Sequence, residues 1–413
     1  MRLIAPPARP TLLLLIGLLV LWFAPGCATL VRQPAVPKSL EDQAHIPGLE
    51  QVRYRIGDPE DLAAMEREGI ESVQRERAYR TTQGQAGPLP PAVFLAISGG
   101  GDDGAFGAGL LNGWTAAGNR PTFKLVTGVS TGALTAPFAF AGPAYDPVLK
   151  EVYTTISPKD ILKPRNLLAA LTSDAMADNR PLWTLISKYV DQSLLDVIAA
   201  EYAKGRLLLV GTTDLDARRA VIWNLTKIAA SRDPKALALF RSLMVASAAI
   251  PGAFPPSMID VEVNGRPYQE MHVDGRAMEQ VFVYPPSFHI QEGARQLGLQ
   301  QRERRVYVIR NSRLDPEWAQ VERRTMSIAE RAISSLIQTQ GIGDLYRIYL
   351  TTQRDGVDFN LAYIPDSFNA PHKEDFDTQY MRQLYAVGYD LAAKGYRWQK
   401  KPPGFTDSTG VRR

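Results

Sequence analysis

The chain has 413 residues, of which 45% are hydrophobic and 22% charged, so it can fill a core, and a disordered or collagen-like chain is excluded. Its 47 Lys and Arg residues are balanced by 43 Asp and Glu residues and lie scattered along the chain, which argues against a nucleic-acid partner. A single cysteine and four histidines exclude an intramolecular disulfide and leave few metal ligands. We therefore expect chemistry without a metal or a cofactor.

The N-terminus has the pattern of a targeting signal. Arg2 and Arg9 are the only charged residues before residue 32, and the apolar run Thr11 to Phe23 follows them. As a helix this run would reach about 20 Å, short of the roughly 30 Å hydrocarbon core, so a removable signal peptide is favoured over a permanent span. The run leads into Ala24-Pro25-Gly26-Cys27-Ala28, which resembles a bacterial lipoprotein signal.

This resemblance predicts a signal peptide over residues 1–26 and lipidation of Cys27. Plain secretion and an uncleaved anchor remain alternatives. A lipoprotein with alanine after its cysteine resembles those sent to the outer membrane. We therefore expect a lipid-anchored protein of the bacterial cell envelope, with the membrane face left open.

Residues 27–90 contain several prolines and a charged stretch from Glu60 to Arg80, which predicts a tether carrying one exposed helix. From residue 91 the sequence consists of short apolar runs separated by segments whose apolar residues have helical spacing. Strands that alternate with helices predict an α/β fold with a mostly parallel central sheet and helices on both faces. We assign residues 91–400 to one domain and 401–413 to a polar tail. The predicted strands are 93–97, 123–129, 207–212, 220–223 and 306–309, the predicted helices include 234–249 and 327–346, and Val263-Asn264-Gly265 reads as a hairpin turn.

A glycine-rich loop, residues 98–109, follows the first of these strands and opens a helix. Gly99, Gly101 and Gly104 fit the spacing of a dinucleotide-binding loop. However, no Asp or Glu occurs between Gly104 and Tyr145 to bind a ribose, and the loop itself carries Asp102 and Asp103. An oxyanion hole, in which backbone N–H groups stabilise charge on an attacked carbonyl, is the favoured interpretation. A tight turn without a ligand is the alternative.

The next strand ends in Gly128-Val129-Ser130-Thr131-Gly132. This is the Gly-x-Ser-x-Gly nucleophile elbow, whose glycines Gly128 and Gly132 relieve crowding around a sharp turn that presents the serine hydroxyl. The pattern alone is common, but between a strand and a helix, one βα unit after a glycine loop, it predicts a nucleophile at Ser130.

A serine needs a base to take its proton. His372, with Asp274, would reproduce the chain order of α/β-hydrolases, but it lies in a polar turn and reads as a surface histidine. His272-Val273-Asp274-Gly275 follows a hairpin, and Gly275 holds the acid in a flexible loop. A carboxylate beside Ser130 could act directly as the base if burial raises its pKa, so Asp274 is favoured over His372, with His272 tuning it or only packing.

Together these residues resemble the patatin-like phospholipase family, which combines a glycine-rich oxyanion loop, a Gly-x-Ser-x-Gly elbow and an aspartate in an Asp-Gly motif. The block from Ala246 to Pro256 also resembles the family. The resemblance covers residues 92–277 and implies a three-layer α/β fold, a Ser130–Asp274 dyad without histidine, and cleavage of lipid acyl esters through an acyl-enzyme. The implied oxyanion-hole residues are Gly99, Gly100, Gly101 and Gly104.

Two residues depart from that family's pattern. Asp103 stands where the family usually has Arg, and Arg276 stands where it prefers Gly or Ala. At about 8 Å and an effective dielectric near 20, each unit charge contributes about 2 kcal/mol at the oxyanion. We expect activity to persist. Arg276 could restore a positive charge near the site, bind a headgroup phosphate or point to solvent, and the last is the favoured interpretation.

The leading functional expectation is a lipid acyl hydrolase of phospholipase A or lysophospholipase type, acting on a membrane lipid or another acyl ester. An acyltransferase with the same dyad, or a catalytically weak envelope scaffold, are the alternatives. The oligomeric state is left open.

Overall fold

The computed structural model describes residues 32–85, 87–164, 173–296, 298, 301–316 and 318–405. The predicted signal peptide, Cys27 and most of the predicted C-terminal tail lie outside these residues. Within them, no helix is both long and apolar enough to cross a membrane.

A nine-stranded sheet organises the described chain, and a separate two-stranded sheet (β4, β5) lies outside it. The strands are β1 (Arg53–Arg55), β2 (Ala92–Ile97), β3 (Leu125–Val129), β4 (Lys163–Pro164), β5 (Ala177–Asp178), β6 (Leu207–Asp214), β7 (Arg219–Asn224), β8 (Ser257–Val263), β9 (Arg266–Asp274), β10 (Arg304–Arg310) and β11 (Asp358–Tyr363).

The centre of the large sheet is parallel, in the order β6-β3-β2-β10-β11. The antiparallel strands β7 and β1 extend it beyond β6. The hairpin of β8 and β9 also joins β6, and its turn places Asn264 and Gly265 at φ +50° and +76°. This confirms the predicted hairpin and the predicted mostly parallel α/β sheet.

Helices cover both faces of this sheet, as the alternating pattern predicts. They are α1 (Pro59–Thr82), α2 (Gly104–Ala116), α3 (Thr131–Ala141), α4 (Asp146–Thr155), α5 (Pro158–Ile161), α6 (Arg180–Tyr189), α7 (Gln192–Ala203), α8 (Leu225–Ser231), α9 (Ala236–Ser247), α10 (Ile290–Gln296), α11 (Thr325–Arg354) and α12 (Thr378–Ala393), with 3₁₀ turns at Lys38–Gln43, Gly101–Asp103, Pro143–Tyr145 and Gly275–Ala277.

Two hydrophobic cores lie on opposite faces of the sheet because successive strand residues point to opposite sides. Leu95 and Ile97 of β2 belong to the larger core, which contains the side chains of α2, α3, α9 and α12. Ala96 belongs to the smaller one, which α1 and α11 cover.

Helices α2 and α12 pack closely through glycines. A Cβ at Gly109 or Gly113 would come closer than 3.0 Å to the carbonyl oxygen of Tyr385 or Tyr389, and a Cβ at Gly388 would meet the carbonyl of Phe106. The glycines beyond residue 104 therefore serve helix packing rather than an oxyanion site.

The prediction of a tether over residues 27–90 is wrong for its described part. β1 pairs with β7, with Arg53 opposite Trp223, and Val52 and Tyr54 are buried in the two cores. Helix α1 begins at an Asp58 cap and buries Met65 against the sheet. The described residues between 44 and 85 thus belong to the packed domain. The sequence concealed this because β1 has three residues, two of which are arginines.

Candidate active site

Ser130 lies in the sharp turn between β3 and α3. Its φ of +56° and ψ of −126° are rare for a residue with a side chain and cost about 1–3 kcal/mol. The turn is tight enough that a Cβ at Gly128 would come closer than 3.0 Å to the Gly132 carbonyl, and a Cβ at Gly132 closer than that to the carbonyl of Ile97. Both elbow glycines are therefore required by close backbone approach.

The strand pairing brings Asp274 to Ser130 across 144 residues of sequence. β3 ends at Val129, which is opposite Gly211 of β6. At the next position of β6, Thr212 pairs with Asp274 of β9. Beyond the end of β3, the same side of β6 therefore pairs with β9. Ser130, the residue after Val129, then lies next to Asp274.

The Ser130 hydroxyl donates to Oδ2 of Asp274 at 2.6 Å, and the Arg276 N–H donates to Oδ1 at 2.8 Å. Both side chains of the pair are buried. Burial raises the pKa of Asp274 to about 6, although the Arg276 guanidinium and the Ser130 hydrogen bond act in the opposite direction. Above pH 6 this carboxylate is ionised and in position to accept the Ser130 proton.

The four glycines assigned to the oxyanion hole divide into two pairs. The Gly99 N–H already donates to the Gln280 carbonyl at 3.1 Å, and the Gly104 N–H closes the 3₁₀ turn of residues 101–103. Within the described chain, the N–H groups of Gly100 and Gly101 have no such acceptor. Gly101 also has φ +63°, where glycine is favoured. The assignment of donors to Gly99 and Gly104 is therefore corrected, and Gly100 and Gly101 remain as candidates.

Gly99 and Gly104 are instead sites of close contact. A Cβ at Gly99 would lie 3.0 Å from Ser130 Cβ and would overlap the Arg276 side chain. A Cβ at Gly104 would overlap the Thr131 hydroxyl. Both glycines let the loop lie directly against the elbow.

The two acidic residues of this loop are held by a segment near the C-terminus. His372 Nε2 and the Phe376 N–H bond to Oδ2 of Asp102 at 2.7 and 2.8 Å. The Tyr380 hydroxyl donates to Oδ1 of Asp103 at 2.6 Å, and its ring stacks on His372. Burial works to lower the pKa of His372, but the Asp102 carboxylate outweighs it and the pKa is raised. His372 thus anchors the oxyanion loop and makes no hydrogen bond to Ser130.

Arg276 does not simply point to solvent, contrary to the expectation. Its side chain lies over Gly99, and its Nε donates to Gln280 Oε1 at 3.0 Å. Its charge lowers the pKa of Asp274 against the larger effect of burial. A positive charge therefore lies beside the dyad, on a different element from the arginine of the family pattern.

His272 packs away from the dyad in a buried polar network. It bonds to Thr212 Oγ1 at 2.9 Å and to Glu270 at 3.2 Å, and Glu270 forms a two-point ion pair with Arg53. Asp214, Glu270 and His272 form a group within the described residues whose ligand atoms lie within 4.8 Å of one another. Because Arg53 already neutralises Glu270, this group functions as an ion-pair network that fixes β9.

Two positioning residues were missed by sequence reasoning. The Ser247 hydroxyl accepts from the Ser130 N–H at 3.0 Å and donates to the Gly211 carbonyl at 2.7 Å, so it fixes the elbow to β6. Asn311 bonds to Ser98 and, through Oδ1, to the Gly107 N–H at 3.0 Å, which holds the oxyanion loop against β10. Ser247 lies in the 246–256 block whose family resemblance was recognised without a role for this residue.

An apolar cavity of about 60 Å³ adjoins the dyad. Gly101 of the glycine loop and Thr131, the residue after Ser130, both line it. Most of its wall comes from residues between 146 and 190. The lining side chains include Leu134, Phe138, Tyr153, Ile161, Leu182 and Ile186.

The fold and the site define an α/β protein of hydrolase type, with a buried serine hydrogen-bonded to an aspartate at the carboxyl edge of a parallel sheet. Residues 95–283 match the model of the patatin-like phospholipase family. The match identifies a patatin-like phospholipase domain within the chain, which supports lipid hydrolase activity.

Solved structures similar to this chain include VipD from Legionella pneumophila, at 11% identity and a TM-score of 0.35 over 74% of this chain and 66% of that chain. The type III effector protein ExoU is similar at 16% identity and a TM-score of 0.18 over 76% of this chain and 56% of that one. This chain therefore spans about two thirds or less of each. No curated protein matches the sequence significantly.

Proposed function

We propose that the protein is a serine acyl hydrolase that cleaves lipid carboxylic esters with Ser130 as nucleophile and Asp274 as base. The observation that carries this proposal is the 2.6 Å hydrogen bond between the two side chains, together with an Asp274 pKa of about 6. A buried carboxylate poised near neutrality in contact with a strained serine is suited to general-base catalysis.

In the proposed reaction, Ser130 Oγ attacks the ester carbonyl carbon while its proton passes to Oδ2 of Asp274. The N–H groups of Gly100 and Gly101 stabilise the negative oxygen that forms. The carbon–oxygen bond to the alcohol then breaks, and Asp274 returns the proton to that leaving oxygen. Asp274 next takes a proton from water, whose oxygen attacks the acyl carbon. The bond from that carbon to Ser130 Oγ then breaks, Asp274 returns the proton to Oγ, and the carboxylic acid is released.

The apolar cavity beside Thr131 is the proposed site for the acyl chain. Its aliphatic and aromatic walls favour a hydrocarbon over a polar chain, and its lining by Gly101 would place the ester carbonyl near the oxyanion loop. A lipidated Cys27 would keep the enzyme at the envelope membrane that contains such esters, as a lipoprotein of the outer membrane.

The test is hydrolysis of p-nitrophenyl esters of increasing acyl length, with a chelator present, by the wild-type chain and by Ser130→Ala and Asp274→Asn. We expect turnover that either substitution reduces to background. A fluorophosphonate probe should label wild type and not Ser130→Ala. Turnover that survives both substitutions contradicts the dyad, and turnover lost only with chelator contradicts a metal-free reaction.

An acyltransferase with the same dyad differs only in the nucleophile that reaches the acyl-enzyme. Adding an alcohol acceptor and measuring the ratio of ester to free acid distinguishes the two. A scaffold without catalysis predicts no turnover and no probe labelling.

A further inference from the structure

Helix α11 extends far beyond the sheet that it covers. It has 30 residues, about 45 Å at 1.5 Å per residue, whereas β10 has seven, about 23 Å. From Gly341 onward the helix is packed, with Gly341 against Arg310 and Leu345 in the core. The part before Gly341 projects past the sheet for about 24 Å.

The projecting part lies at the edge that carries the dyad. β10, α11 and β11 form a crossover between parallel strands, so α11 runs opposite to them and begins at their carboxyl edge. Ser130 follows the carboxyl end of β3 in the same sheet. The Gln340 side chain also donates to the carbonyl of Met278, four residues after Asp274. The projecting helix therefore stands beside the segment that follows Asp274.

This part of α11 and the segment before it expose large apolar side chains. Leu336 is 70% exposed and Trp318 is 88% exposed. At 100° per residue, Ile328, Leu336 and Ile333 fall within an arc of about 140°, and Gln340 lies in the same arc. The apolar face is therefore the one that faces Met278. The Gln338 side chain donates to the carbonyl of Asp315, three residues before Trp318, at 3.1 Å, which holds that segment against the helix. We call this surface the apolar rim: Met278, Trp318, Ile328, Ile333 and Leu336.

The described chain also reaches this edge from its N-terminal side. Arg32 forms an ion pair with Asp216 at 2.7 Å, and Asp216 lies two residues beyond the end of β6. Cys27, the proposed lipidation site, is five residues earlier and so within about 18 Å of Arg32. A lipid on Cys27 would enter the bilayer on the side of the molecule that carries the dyad and the apolar rim.

We infer that the apolar rim docks on a phospholipid bilayer, with Trp318 and the face of α11 inserted among the headgroups. This inference rests on the proposed function, since it brings the dyad to the surface where its lipid esters lie. Three features of the described chain lie at one edge of the sheet: Ser130, the exposed apolar face of α11, and Arg32, which is five residues from the proposed anchor site. Tryptophan and an amphipathic helix are suited to the membrane interface.

The first experiment reads docking without catalysis. The full chain carrying Ser130→Ala is mixed with vesicles of phosphatidylethanolamine and phosphatidylglycerol that have brominated acyl chains, which quench tryptophan inside the bilayer. The same chain with Trp318→Phe isolates the signal of Trp318. We expect blue-shifted and quenched Trp318 emission. Vesicle-bound protein whose Trp318 stays unquenched overturns the inference and leaves the proposed function standing.

The second experiment compares Ile333→Glu/Leu336→Glu with Leu350→Glu, which alters an exposed leucine near the other end of the same helix. The double variant should lose Trp318 quenching and at least about tenfold of its rate on vesicles, with its rate on a soluble short ester within about twofold of wild type. Leu350→Glu should change none of these. Unchanged vesicle activity in the double variant overturns docking. Docking is also overturned if wild type is a dimer and the double variant is a monomer, because the surface then binds a second copy of the chain. Absence of turnover in wild type with intact Trp318 quenching contradicts the proposed function alone.

Discussion

Replacing Asp274 by Asn removes a buried charge while keeping the shape of the side chain, so it separates the role of the carboxylate in catalysis from its effect on the fold. Burial raises the pKa of Asp274 to about 6 from its usual value of 3.8. A carboxylate with a raised pKa in the folded state destabilises the fold above that pKa, and the effect disappears below the pKa of the unfolded chain. At about 1.36 kcal/mol per pKa unit, the ionised Asp274 costs about 3 kcal/mol at neutral pH.

Urea unfolding of wild type and Asp274→Asn from pH 4 to pH 8 measures this difference. We expect the variant to be inactive and more stable by about 3 kcal/mol at pH 7, with the gain falling towards zero near pH 4. Ser130→Ala leaves the carboxylate in place and removes a hydrogen bond that lowers its pKa, so its stability should fall with rising pH at least as strongly as that of wild type. A gain independent of pH, or an Asn variant less stable than wild type at pH 7, refutes a raised Asp274 pKa.

Three further predictions concern the dyad and the backbone around it. Because Asp274 must be ionised to act as a base, kcat/KM on a soluble ester should rise about tenfold per pH unit below pH 6 and level off above it. A profile that already levels off near pH 4 contradicts this. Ser247→Ala leaves the buried Ser130 N–H without its acceptor, so it should lower both kcat and, by about 1–3 kcal/mol, the free energy of unfolding in urea. In Gly132→Ala the new methyl group has no room beside Ile97, so the melting temperature should fall strongly. Gly343→Ala is a control at a helical site with open space and should stabilise the fold by up to about 1 kcal/mol. Equal effects of the two variants contradict the packing argument.

The parts of the site that sequence predicts are those encoded locally. A glycine elbow between a strand and a helix places Ser130 by backbone sterics alone, and the glycine loop follows its strand directly. The contact between Ser130 and Asp274 depends instead on β9 replacing β3 beside β6, a pairing that local patterns do not encode. Residue chemistry favoured Asp274 over His372, and the resemblance to a family then strengthened that prediction.

The error over residues 27–90 has a related physical cause. Arg53 reads as an exposed charge in a short segment, yet it is buried, pairs with Glu270 and lies over the ring of Trp223. Its partner is 217 residues away, so no local pattern could reveal that the charge is neutralised. Charges and prolines suggest a tether, but here Arg53 belongs to the buried network that fixes β9.

Contacts between residues far apart in sequence also explain how the site accommodates two acidic residues in its oxyanion loop. The carboxylates of Asp102 and Asp103 are drawn into hydrogen bonds with His372 and Tyr380, while Arg276 provides a positive charge on the other side of Gly99. At an effective dielectric near 20, a unit charge about 8 Å away contributes about 2 kcal/mol, so where each charge points matters as much as its sign. Asp103 and Arg276 are therefore best understood together: the positive charge near the oxyanion comes from Arg276 and not from position 103.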